Sequence, residues 1–252
     1  MKRALLTAAL LAAYATSAGA NGLQLAWTSC AGTVGATKTI AFDCDPNAGT
    51  VYELFGTFSS TTAMTGVVAM DGITDLRFEG QTDVPPFWQF QLFGCNETGL
   101  NMIDARPASC SPTYTNTICG NGGGACDGVI TAFGLNYKGP GTGRLLFTLA
   151  RASVSPTDLA AEPTKHFAFD LQFFMDHAGD CAGCNSPVSM VWNMAVLYNT
   201  LADAGQEGTA GILSSTDAAS DPCVNMNGGT LAGCNATPTK RNTWGQLKTL
   251  YR

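Results

Sequence analysis

The segment His166–Asn199 reads HFAFDLQFFM (166–175), DHAGDCAGCNSP (176–187) and VSMVWNMAVLYN (188–199). Its outer parts alternate with the period of two that an extended chain imposes, because successive side chains point to opposite faces. Phe167, Phe169, Leu171 and Phe173 fall on one face of the first part. Val188, Met190, Trp192, Met194, Val196 and Tyr198 fall on one face of the second. The middle is rich in Gly, Asp and Cys, which turn a chain or staple it. The segment predicts a central hairpin with a long, cysteine-tied tip, its Phe row and Trp192 in the core.

Outward from this stretch the same signals recur. Leu23–Trp27 is a short apolar strand, and Thr50–Phe58 alternates through Tyr52, Leu54 and Phe58. Val67–Phe78 reads as one bent strand or two, with Gly72 at the bend or bulge. After Pro85-Pro86, the run Phe87–Phe93 reads as a strand buried on both faces. Gly94–Gly128 loses the pattern and reads as a long stapled surface excursion. Val129–Tyr137 and Leu145–Leu149 form a second hairpin around Lys138-Gly-Pro-Gly. Residues 152–164 read as a loop with a helical turn at Asp158–Ala161, and 200–221 as an Ala/Gly/Ser-rich loop. Thr243–Arg252 has the cap and spacing of a short helix. Roughly eight or nine strands with almost no amphipathic helix predict an all-β, antiparallel β-sandwich or jelly-roll-like single domain with disulfide-stapled loops.

The N-terminus carries a targeting signal. Lys2 and Arg3 precede the apolar run Ala4–Ala13, and Ala18-Gly19-Ala20 ends it with the small-x-small pattern of a cleavage site. Residues 1–20 read as a signal peptide and 21–252 as the secreted domain. No later stretch is apolar for the roughly twenty residues that a membrane helix needs. The chain has 252 residues and a net charge of −6. An acidic chain with scattered Lys and Arg has no electrostatic footprint for nucleic acid.

All ten cysteines follow the signal, and export favours disulfides. Spacing predicts local pairs: Cys30 with Cys44, Cys95 with Cys110, Cys119 with Cys126, Cys181 with Cys184, and Cys223 with Cys234.

Several residues carry candidate chemistry. Cys181-Ala-Gly-Cys184 has the CxxC spacing of a redox dithiol or of half a zinc site, with His177 as a third ligand. A strand rather than a helix follows it, which favours a structural disulfide. Asp43, Asp45 and Asn47 set three oxygens at alternate positions, as a calcium loop begins, but the Gly and Glu that should follow are out of register. His166 and His177 are the two groups that titrate near neutral pH, and neither sits in a nucleophile elbow or zinc-protease motif. Trp88, after two prolines, is a candidate platform for a sugar ring.

Taken together, LAWTSC (25–30), PPFWQF (85–90), CAGCNSPVSMVWN (181–193) and TWGQLKTLYR (243–252) resemble a group of uncharacterised secreted proteins of environmental bacteria. Those proteins carry a similar CAGC-x-x-PV segment and end in a similar TWG-x-x-K-x-LYR. This chain has Ser189 where they usually have a further Cys. The resemblance implies a secreted single-domain protein and no particular activity. The expected function is a non-enzymatic extracellular β-sandwich, either a surface or matrix component or a binding module for an unknown partner or glycan, with no cofactor. The alternatives are a carbohydrate-binding module using Trp88 and a small secreted hydrolase using His177.

Overall fold

The computed structural model describes residues 21–118, 126–151, 156–199 and 208–230. The signal segment and the predicted C-terminal helix lie outside them. Thirteen strands are present among the described residues: β1 Gly22–Trp27, β2 Thr39–Ile40, β3 Val51–Ser59, β4 Met64–Phe78, β5 Leu100–Ile103, β6 Tyr114–Thr117, β7 Cys126–Leu135, β8 Thr142–Arg151, β9 Thr157–Leu159, β10 Lys165–Phe174, β11 Val188–Asn199, β12 Gly208–Ser214 and β13 Cys223–Met226. They form two sheets. The smaller runs β1-β3-β10-β5, with β6 also on β10. The larger runs β2-β13-β11-β4-β8-β7, with β12 on β11 and β9 on β4. Pairing is antiparallel except at β6–β10 and β13–β2. The fold is an all-β sandwich, as the sequence predicts.

The central segment is not a hairpin. Its first strand, β10, lies in the small sheet between β3 and β5, and its second, β11, lies in the large sheet beside β4. The chain crosses between the layers as an arch. The two strands meet through side chains rather than through hydrogen bonds: Phe169 and Trp192 pack edge to face at 4.9 Å. Alternation identifies a strand but carries no information about which backbone lies beside it.

Each strand also contains a bulge, and each bulge reverses the side-chain parity. In β10 the register shifts between Phe167 and Phe169. Phe169, Leu171 and Phe173 therefore line the main core, while Phe167 faces outward into a small cluster with Cys30, Phe55, Cys110 and Tyr114. In β11 the shift lies between Trp192 and Met194. Ala195 and Leu197 then take the core side, and Met194 joins Ile73 and Leu146 on the outer face. The predicted single rows are thus each split between two faces. Gly72 is not itself a bulge, since β4 pairs continuously with β8 there. Its role is space: a Cβ would lie 2.0 Å from the Phe147 ring.

Other elements differ from expectation. Pro86–Trp88 is a 3-10 turn rather than a strand, because Pro85-Pro86 favours a turn and removes the donors a strand would use. The excursion at 94–128 contains β5 and β6, and β9 replaces the predicted helical turn. The Gly/Ala-rich tract after Asn199 contains β12, which pairs with the second half of β11.

The three disulfides with both cysteines among the described residues connect distant loops, not neighbours. Cys30 pairs with Cys110, Cys44 with Cys184 and Cys95 with Cys181, at Cα separations of 5.2, 6.0 and 5.8 Å. The predicted pairs Cys30/Cys44, Cys95/Cys110 and Cys181/Cys184 are therefore corrected. Loop-closure entropy favours near neighbours, but the folded layers determine which sulfurs come within bonding reach. Cys119 and Cys234 lie outside the described residues, and with them the predicted pairs Cys119/Cys126 and Cys223/Cys234. Cys223 is itself disulfide-bonded.

Candidate functional site

The arch tip, where the sequence concentrates its candidate chemistry, is a structural knot. Cys184 ties it to the loop after β2 and Cys181 to the loop before β5. Trp88 Nε1 donates to the Gly183 carbonyl at 2.9 Å, Phe87 N to Ala182 at 3.0 Å, and Asn227 Nδ2 to Cys184 at 2.7 Å. With both sulfurs in separate disulfides, His177, Cys181 and Cys184 do not form a zinc site or a redox dithiol. His177 Nε2 lies 3.0 Å from the Thr98 hydroxyl at an exposed position. Asp45 accepts hydrogen bonds from the backbone and side-chain amides of Asn47. This is a local turn closed by Asn47 on Asp45, beside Asp43, whose N–H donates to the Tyr52 hydroxyl. Among the described residues no group of three or more His, Cys, Asp or Glu is placed to hold a metal.

Trp88 is fully buried, packed against Phe42, Phe78, Phe87, Phe90 and Phe173. It offers no face to a sugar. Trp88→Ala is expected to lower unfolding stability by about 3–5 kcal/mol, the usual cost of emptying a large aromatic site; a loss below about 1 kcal/mol in urea unfolding would contradict this packing. His166 is also buried, beside the Phe58 ring, with Nε2 2.8 Å from the Ala160 carbonyl. Burial pushes its pKa down, against a smaller upward effect of that hydrogen bond, so it is held neutral and away from solvent.

The site with the most polar chemistry lies elsewhere, on the outer face of the large sheet. Parity puts Asp75 and Arg77 of β4, Arg144 of β8, and Ser189 and Val191 of β11 on this face. The β7–β8 turn folds beside them and borders an open cavity of about 340 Å³, lined among others by Asp75, Arg77, Tyr137, Lys138, Thr142 and Ser189. Asp75 takes hydrogen bonds from Arg144 Nε and Nη2 at 2.6 and 2.9 Å and from Lys138 Nζ at 2.8 Å. The buried Arg144 guanidinium stacks 4.2 Å from the centre of the Tyr137 ring. Arg77 is exposed and makes no ion pair among the described residues.

The turn that carries Tyr137 and Lys138 is rigid. Asn136 bridges Asp83 and the Gly141 amide, and the Thr142 hydroxyl accepts from Lys138 N and donates to Gly139 O. Gly141 has φ +65°, and a Cβ there would lie 2.3 Å from the Gln81 carbonyl, so glycine is required where the turn meets the next loop. The pocket is therefore preformed.

No family model matches the chain, and no curated protein matches it. A solved cohesin module from a Clostridium perfringens ATCC13124 family 33 glycoside hydrolase is similar to 83% of this chain over 98% of its own length, with 6% identity and a TM-score of 0.37. A likeness of that size bears on neither fold nor function.

Arg77 and Lys138 line the cavity with Asp75, and Arg144 pairs with Asp75 beside it, in a chain that is acidic as a whole. Lys138 and Arg144 share Asp75, and Arg77 lines the same cavity without an ion pair among the described residues, so the cluster carries a net positive charge. Such a site attracts and orients an anion. Sequence reading did not find it, because Asp75 and Arg77 look like ordinary outward strand residues and Lys138 and Arg144 like part of the KGPGTGR turn. The one available signal was opposite charge on strands that become neighbours, visible only once β4 is paired with β8.

Proposed function

We propose that the protein is a secreted, non-enzymatic β-sandwich binding module whose ligand site is the cationic pocket of the large sheet and whose ligand is an anion. The CAGC-x-x-PV and TWG-x-x-K-x-LYR motifs place it, in this reading, with the secreted bacterial proteins that it resembles. The disulfides between distant loops fit an oxidising compartment. No helix among the described residues is long and apolar enough to cross a membrane.

The observation that carries the reading is the surplus of positive charge in a preformed cavity. A rigid pocket binds without the entropic cost of ordering its loops, and its volume falls in the range of small-ligand sites. Binding of polygalacturonate, polyglutamate, dextran sulfate and neutral dextran tests it by calorimetry. At least one anionic polymer is expected to bind and dextran not. The Arg77→Ala/Lys138→Ala double variant, which leaves the core intact, is expected to weaken that binding at least tenfold. Unchanged affinity in the double variant would remove this pocket from the function.

A further inference from the structure

The pocket does not stand alone. A second cavity of about 370 Å³ adjoins it, lined by Arg77, Phe78, Glu79, Gly80, Gln81, Pro140 and Thr230. The two share Arg77 and Pro140 as a common wall. They differ in charge. The first holds the cation surplus. The second holds Glu79, whose Oε1 accepts from Thr230 N at 2.6 Å and from the Thr230 hydroxyl at 2.8 Å. Those donors, with the Arg77 charge, hold the Glu79 carboxyl ionised, against a smaller effect of burial.

We infer that the two cavities are consecutive subsites for an acidic heteropolysaccharide, a carboxylate-bearing ring against Arg77 and Lys138 and a neutral ring against Glu79 and Gln81. This rests on the anion-binding reading above and extends it to a ligand class. An anionic ring in the second subsite would face the Glu79 carboxylate, and like charges repel. Ring hydroxyls instead find acceptors and donors there: the Glu79 carboxylate, the Gln81 amide and the Thr230 hydroxyl. The exposed Tyr137 supplies a hydroxyl in the first, where the Thr142 and Ser189 hydroxyls are held by Lys138, Gly139 and Thr230. A peptide carrying carboxylates suits the place less well. The cavity lies over β11, β4 and β8, which are paired on both sides, so no strand edge is open for an extended peptide to join.

Oligosaccharides separate the possibilities. Hyaluronate tetrasaccharide alternates uronate with a neutral residue, and oligogalacturonate of equal length is acidic throughout. The alternating ligand is expected to bind at least ten times more tightly. Glu79→Gln, which keeps an acceptor for Thr230 and removes the charge, is expected to reduce that ratio to about threefold or less by strengthening oligogalacturonate binding. Oligogalacturonate binding as tightly as hyaluronate, a ratio unmoved by Glu79→Gln, or polyglutamate binding more tightly than either would overturn the saccharide assignment while leaving the anion pocket standing. Absence of binding by every anionic probe would overturn both.

Discussion

Replacing Cys44 and Cys184 together by alanine is expected to destabilise the protein by about 4 kcal/mol and to lower Tm by about 10 °C. The two residues are separated by 140 positions in sequence. The nearby Cys95–Cys181 bond already shortens the loop that the second bridge closes, from that separation to roughly two-fifths of it. Because closure entropy varies with the logarithm of loop length, the stabilisation falls only slightly. The bridge also holds the arch against the loop after β2, so its loss frees a segment that seals one end of the sandwich. Urea unfolding of oxidised protein measures the effect. A loss below about 1 kcal/mol would show that the bridge adds little to an already packed core. Peptide mapping gives a separate check: a Cys181–Cys184 linked peptide would contradict the arch connectivity outright.

Asp170 controls the second large effect. It sits on the outer face of the small sheet, nearly inaccessible at 1% exposure, with Oδ1 unpartnered and Oδ2 3.3 Å from Gln172 Nε2. Burial, reinforced by the Glu53 carboxylate, pushes its pKa up to about 8. An unfolded aspartate titrates near 3.9. Between these values the folded chain retains a proton that the unfolded chain has lost, so stability falls as pH rises, by at most about 1.4 kcal/mol per unit. His166 acts in the opposite sense. Its folded pKa is lowered, so below an unfolded value near 6.5 the unfolded chain takes the extra proton and stability falls as pH falls. The two slopes oppose each other under acidic conditions, and above about pH 6.5 the His166 contribution fades while the Asp170 slope continues to about pH 8. Asp170→Asn is expected to flatten the decline in that window, gaining on the wild type by about 1–2 kcal/mol between pH 6 and 8. Parallel pH–stability curves for the two proteins would refute the assignment.

The same physics sets how far each feature was legible in the sequence. Strand identity was readable because burying one face of an extended chain imposes period two. That identified β1, β3, β4, β7, β8, β10 and β11 within a few residues, and with them the all-β class. Trp192 was correctly assigned to the core. Trp88 was not, because a Trp after two prolines reads equally well as buried or displayed, and only the ring of Phe neighbours decides. The candidate site was not legible at all. Asp75 and Arg144 are far apart in sequence and face each other only because β4 and β8 pair in one particular register.

By itself the sequence determined the composition of the layers: which stretches extend, which faces are apolar, and where the chain turns. Those are local properties, fixed by side-chain chemistry over a few residues. Tertiary structure alone decided that His166–Asn199 is an arch between sheets, that β10 and β11 each reverse parity at a bulge without a glycine, and that Cys181 and Cys184 bond to different loops. It also decided that Arg77, Lys138 and Asp75 line one pocket, with Arg144 bonded to Asp75 beside it. Each of these depends on which distant segment lies alongside. That choice is made by packing two twisted sheets around one core, and no local pattern records it.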